Sequence, residues 1–181
     1  MAESWFHMQF AKDSFFLALQ QRLAGLNPSR SITIKGATVP AVVVAENLPP
    51  SSAEPLPDAF YIEFGQAGVV EGHAGCGALM SLQCVISYYT YGSVASMVDR
   101  GRVLGQLDSE LLAICQPPNT EKRDYTQAPS TDLGTKVFWS EPAFAERQTN
   151  ALVGEAEPHP DGRVERRARL TIFFFSEVTL S

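Results

Sequence analysis

The side chains with the most chemistry to offer lie in GHAGCGALMSLQC, which holds His73, Cys76 and Cys84. Imidazole and thiolate are zinc ligands, but a closed zinc site takes four of them, usually with cysteines paired two to four residues apart. Only His73 and Cys76 are close, and Cys84 falls on the apolar side of an alternating run. A glycine-rich turn followed by a buried free cysteine accounts for the same residues. A cysteine nucleophile needs a histidine and an orienting group within reach. Of the three histidines, His7 is near the start and His159 stands between two prolines, so His73 with Cys76 is the one pair that could support such a site. The glycines of GQAGVVEG and GHAGCG are not set between a strand and a helix, and no Lys-Ser or Lys-Thr pair follows, so they read as turns and not as a phosphate cradle. No Gly-x-Ser-x-Gly element is present. The neighbouring acids Glu155 and Glu157, and Asp108 and Glu110, read as solvated surface carboxylates. The expectation is a chain with no catalytic residue, no cofactor and no metal.

Two groups of residues point to binding instead. CVISYYTYGS gathers Tyr88, Tyr89 and Tyr91 at the end of a strand-like run. They suit either a binding surface, since tyrosine offers contact area at low entropic cost, or the filling of a sheet. In ERRARLTIFFFSEV, Arg167, Arg169, Thr171, Phe173 and Phe175 share one face of a strand. Phenylalanines beside arginines on an open face are common at interfaces and uncommon on a free surface. The alternative is that a long loop folds over those rings.

The elements that must position these residues follow from the pattern. Phe15, Phe16, Leu19, Leu23 and Leu26 recur at helical spacing and predict a helix over about 13–24, starting there with Asp13 or Ser14 as cap or else further upstream, with Gly25 at its end. SITIKG and VPAVVVAE read as two strands about a turn at Gly36, with Pro40 confining the second to an edge or to its first residues. NLPPSSAEPLPD is a stiff, proline-rich loop. AFYIEFG puts Phe60, Ile62 and Phe64 on one face and Tyr61 and Glu63 on the other, and QAGVVEGHAGCG then turns the chain. Met80, Leu82, Cys84, Ile86 and Tyr88 alternate with Ser81, Gln83, Val85, Ser87 and Tyr89, a strand covered on one side only. Ser96 and Asp99 resemble a capping box. The helix they open buries Met97, Leu104, Leu107, Leu111 and Ile114, places Arg100, Arg102, Asp108, Ser109 and Glu110 elsewhere, and stops at Pro117 and Pro118. The stretch 117–134 reads as a long polar connection. TKVFWSEPAF is a strand interrupted at Pro142, Asp161-Gly162 a hairpin tip, and Ala168, Leu170, Ile172 and Phe174 the apolar face of the last strand.

These pieces predict one α+β domain over 1–181: a mainly antiparallel sheet, two helices packed on one face of it, and long loops near 46–58, 117–134 and 144–163. The length of 181 residues fits a single core. With 45% hydrophobic and 19% charged residues, the composition is that of a globular protein and not of a disordered one. A net charge of −6 argues against a groove that grips nucleic acid. No apolar run is long enough to span a membrane, no secretory signal is expected, and three cysteines do not make a disulfide framework, which points to synthesis in a reducing cytosol.

The layout has a counterpart. An initial helix leads into strands, a long strand ending in YYTYG enters the helix SVASMVDRGRVLGQLDSELLAI, and RLTIFFF closes the chain. In this it resembles the tail-terminator, or tail-completion, proteins of long-tailed bacteriophages and related tail-tube systems. The resemblance spans most of the chain and is one of layout, with no invariant motif. It implies a virion protein made in the host cytoplasm, a homo-hexameric ring that caps the tail tube and joins it to the head or neck, with the tube protein and a neck or connector protein as partners. An acidic lumen would let DNA pass without specific binding. The residues expected at interfaces are Arg100, Arg167, Arg169, Phe173, Phe175, Tyr89 and Tyr91. Those expected at the lumen are Glu71, Asp132, Glu155 and Glu157. The expected sheet, with a spare face and open edges, invites subunit pairing. Competing readings are a neck adaptor at the same junction, a small enzyme using His73 and Cys76, and a monomeric binding module using the tyrosines.

Overall fold

The computed structural model describes residues 4–48, 56–71, 77–91, 99–144 and 163–176, with backbone alone for residues 4–7, 71 and 100. Helix α1 covers Ser4–Leu26. It leads into β1 (Ser31–Ile34), β2 (Ala37–Pro40), β3 (Val42–Val44) and a single 3-10 turn at Ala45–Asn47. Then come β4 (Phe60–Glu71), β5 (Leu79–Thr90), helix α2 (Asp99–Ile114), β6 (Asn119–Asp124), β7 (Thr131–Trp139), β8 (Ala143–Phe144) and β9 (Val164–Phe175). The main sheet runs β3-β4-β5-β9-β7-β6, with β8 beside β9, while β1 and β2 form a separate hairpin. Among the described strands only β3 and β4 run parallel. The fold is the α+β arrangement the sequence predicts.

Alternation places one face of the sheet in the core. Leu82, Cys84, Ile86 and Tyr88 of β5 and Ala168, Leu170, Ile172 and Phe174 of β9 are all buried. They meet Phe15, Leu19 and Leu23 of α1 and Leu104, Leu107, Leu111 and Ile114 of α2 in one cluster. Each such aliphatic or aromatic side chain contributes ~1.5–3 kcal/mol relative to exposure.

Helix α1 explains the shape of the sheet. Ala11, Phe15, Leu19 and Leu23 recur every fourth residue and are fully buried. On one flank of that stripe Lys12 pairs with Glu46 at 3.9 Å, and Gln20 Nε2 donates to the carbonyl of Val42 in β3 at 3.4 Å. On the other flank, Ser14 Oγ accepts the backbone N–H of Arg123 in β6 at 3.0 Å, and Arg22 Nη2 donates to the carbonyl of Asn119 at 2.8 Å. Strands β3 and β6 are the two ends of the sheet order. The sheet therefore curls until its outermost strands flank one helix, whose polar side chains occupy their edge groups.

Several expectations are corrected. Helix α1 takes the upstream start, at Ser4, so Asp13 and Ser14 lie inside it and do not cap it, and Leu26 is exposed. VPAVVVAE is two strands: Pro40 ends β2, and the chain crosses at Ala41 into a different sheet. QAGVVE continues β4 and does not turn; the extra residues fit as bulges, with register shifts between Phe64 and Ala67 and between Val69 and Glu71. The stretch 117–134 is not a loop: it holds β6, a turn, and the start of β7. The edges of the terminal strands are not open, because α1 covers them. Ser96, Met97 and most of the 46–58 and 144–163 stretches, Asp161-Gly162 among them, lie outside the described residues.

Candidate functional site

The uncovered side of the sheet is built from the residues that alternate with the core. Strands β5 and β9 pair without a break from Leu79 and Phe175 to Thr90 and Val164. Because side chains repeat every second residue, one unbroken register fixes every outward row. Phe173 stands opposite Ser81 on one side and Phe138 of β7 on the other. Phe175 lies two residues along the same face. Phe138 and Phe175 are 41% and 42% exposed, and Phe173 is half-buried. Three phenylalanines thus form an apolar zone toward one end of the face.

The middle of the face is charged. Arg169 pairs in register with Val85, which pairs in turn with Glu63. Arg169 and Glu63 are exposed, and their side chains make no hydrogen bond or ion pair among the described residues. Arg167 Nε donates to Glu165 Oε1 at 2.7 Å. That bond, with the charge of Glu165 behind it, raises the guanidinium pKa further.

The tyrosine group divides. Tyr88 points into the core, where its ring meets Phe60 edge-on at 5.2 Å and its hydroxyl donates to Asp108 Oδ1. Arg166 Nη2 approaches the other oxygen of Asp108 at 3.3 Å. Burial first, then the neighbouring carboxylate, pushes the Tyr88 phenol far up. Tyr89, expected at an interface, is only 5% exposed: its ring packs edge-on against Tyr91 at 5.5 Å and lies beneath the Arg163 guanidinium at 5.3 Å. Desolvation, followed by Tyr91, pushes its phenol up. Tyr91 is exposed. One tyrosine of the three is therefore available to a partner. Tyr61, expected on the wet face, is buried too, its hydroxyl held by the backbone of Leu56.

Of the acids expected at a lumen, Asp132 is exposed on β7, and its Oδ1 accepts the N–H of Gly134 at 2.8 Å. The side chains of Glu71 and Arg100 lie outside the described residues, as do Glu155, Glu157, His73, Cys76, His159 and the ring of His7. Cys84 is buried as the alternation requires, and burial pushes its thiol far up. Burial pushes the Cys115 thiol up to about 12. Both are poor nucleophiles near neutral pH. Among the described residues no group of three or more His, Cys, Asp or Glu side chains is placed to hold a metal.

Three features escaped the pattern. Glu110, read as a surface acid, is buried and paired with Arg30; its Oε1 also accepts from Asn27 at 2.8 Å. An apolar cavity of about 250 Å3 lies between α1, the β1–β2 hairpin and β3, lined by Phe16, Ile34, Val39, Val43 and Leu48 among others. Val69 and Val70 are the most exposed large apolar side chains among the described residues. The first two depend on long-range contacts that no local signal carries. The third was legible as two apolar residues in a glycine-rich stretch.

No protein-family model matches the chain, and no curated protein matches it. No helix among the described residues is long and apolar enough to cross a membrane.

Proposed function

We propose that the chain is a structural subunit that joins copies of itself in a ring, of the kind that closes a bacteriophage tail tube and connects it to the head or neck. The observation that carries this reading is the outward face of β5, β9 and β7. It sets Phe138, Phe173 and Phe175 on the same face as Arg169, which makes no ion pair among the described residues, on strands held in continuous register from β5 to β9. An apolar zone with an adjacent charge is the composition of a buried interface core with its rim. The tube protein and a neck or connector protein are the remaining partners in this reading, and the virion is its location. Its acidic balance of −6 disfavours retention of DNA phosphates, so the genome would pass without specific binding.

The deciding experiment is the mass of the purified chain in solution, followed by negative-stain imaging after mixing with tail tubes. A closed oligomer that decorates tube ends supports the reading. A strict monomer that leaves tubes bare overturns it.

A further inference from the structure

The edge of β4 that faces away from β5 is occupied only in part. Strand β3 pairs with Phe60, Tyr61 and Ile62, and among the described residues no strand continues along that edge to Glu71. Gly65, Gln66, Gly68, Val69 and Val70 are exposed there, Val69 at 65%. The two bulges leave Ala67–Val69 in regular register with β5, a run of the same length as β3 itself. Natural edges are normally blunted by lysine, proline or a covering element. From Glu63 to Glu71 this one carries two acids and no base or proline, and the helix that shields the other edges meets it at Phe64, through Phe15 and Lys12, with no ring or cation contact to Gly65–Val70 among the described residues.

A complementary strand exists in the same chain. The hairpin of β1 and β2 is a two-stranded sheet on its own, packed on the core through Ile32, and among the described residues no strand pairs with its β1 edge. Its turn, Lys35-Gly36, has both φ values positive, at 50° and 81°, the geometry that closes a two-residue hairpin. Ile34 and Ala37 then exchange the closing bonds, and the N–H and C=O of Thr33 point away from β2. The stretch 30–41 carries Arg30 and Lys35 and no acid. Arg30 is held by Glu110, but Lys35 is exposed and makes no ion pair among the described residues.

We infer that the β1 edge of one copy adds to the open β4 edge of the next, burying Val69 and Val70 and bringing Lys35 to the acidic strand. This rests on the ring-forming reading above and names its contact. Two different surfaces meet, so the contact is head-to-tail, which is the kind that closes into rings.

Two variants test it. Val69→Lys with Val70→Lys blocks the β4 edge. Thr33→Pro with Lys35→Glu removes the outward N–H of β1 and reverses its charge. Unfolding curves are recorded first, to show that both retain the fold. The expected result is that the wild-type chain assembles, each variant alone is monomeric, and an equimolar mixture gives a dimer of the two variants and nothing larger. If the wild type assembles but either variant alone still does so to the same size, or the mixture stays monomeric, this contact is wrong and the ring reading stands. If the wild type is itself monomeric, both fall together.

Discussion

Arg22 is the side chain on which the helix-to-strand junction turns. Its guanidinium donates to the carbonyls of Ile114 at 3.0 Å, Pro117 at 2.8 Å and Asn119 at 2.8 Å, and lies 5.2 Å from the Trp139 ring. Ile114 ends α2, so the cation sits where the helix dipole and its unpaired carbonyls favour it. Burial lowers its pKa, yet an arginine stays charged. Arg22→Lys keeps the charge and loses the planar fork, and is expected to cost ~1–3 kcal/mol in urea unfolding. Two carboxylates give opposite pH signatures. The Thr126 hydroxyl and N–H hold Asp124 below its ordinary 3.8. A depressed acid contributes stability above 3.8, and that contribution is lost as pH falls through the folded value. Asp13 is raised by burial, so its penalty is absent at low pH and sets in as pH rises above 3.8. Asp13→Asn is therefore expected to raise the melting temperature at neutral pH and to lose that advantage at about pH 3; an unchanged difference between the two conditions would refute the assignment.

Elements show where the sequence was legible and where it was not. Strands β5 and β9 were readable because each has one wholly apolar face. Helix α2 was readable from Leu104, Leu107, Leu111 and Ile114. Strand β6 was not, because its inward residues are Lys122 and Asp124. Lys122 is fully buried, donates to the carbonyl of Phe175 at 2.9 Å and lies 5.2 Å from the Phe174 ring. A polar inward row reads locally as a loop; only the tertiary partner reveals a strand. The interface candidates fared by the same logic: parity gave the outward side of Phe173 and Phe175, but the burial of Tyr89 depends on Arg163 and Tyr91, which no period encodes. Glycines provide tests at this scale. Gly101 and Gly105 lie on the exposed side of α2 with nothing within 4 Å of an added Cβ. Replacing each by alanine is expected to stabilise the chain by ~1 kcal/mol. At Gly77 an added Cβ would lie 1.9 Å from the carbonyl oxygen of Ser176. Gly77→Ala must therefore displace Ser176, and the bond from its N–H to the Ala78 carbonyl is expected to weaken, seen as faster hydrogen exchange at Ser176.

On the scale of the whole molecule, α1 decides which surfaces remain for partners. By filling the seam between β3 and β6 it withdraws both terminal edges, and among the described residues the outward face of the sheet and the far end of β4 stay uncovered. These two surfaces have different chemistry and separate in a mutational test. Phe138→Asp with Phe175→Asp alters side chains outside the core cluster, so the fold is expected to be kept, at a cost of ~1 kcal/mol per substitution from the poorer strand former. Placing two carboxylates in an interface core costs far more, because each must be desolvated without a partner. If the proposed ring reading holds, association with tail tubes is therefore expected to weaken at least ~100-fold, about 2.7 kcal/mol. Arg169→Ala removes a charge at the margin of the same zone, and rim charges act chiefly through encounter rate and salt dependence. Its expected signature is a flatter dependence of the association rate on ionic strength with little change in dissociation. If the double phenylalanine variant is indistinguishable from the wild type in tube association, the outward face is a solvated surface, and of the two proposed surfaces the β4 edge is left to carry assembly.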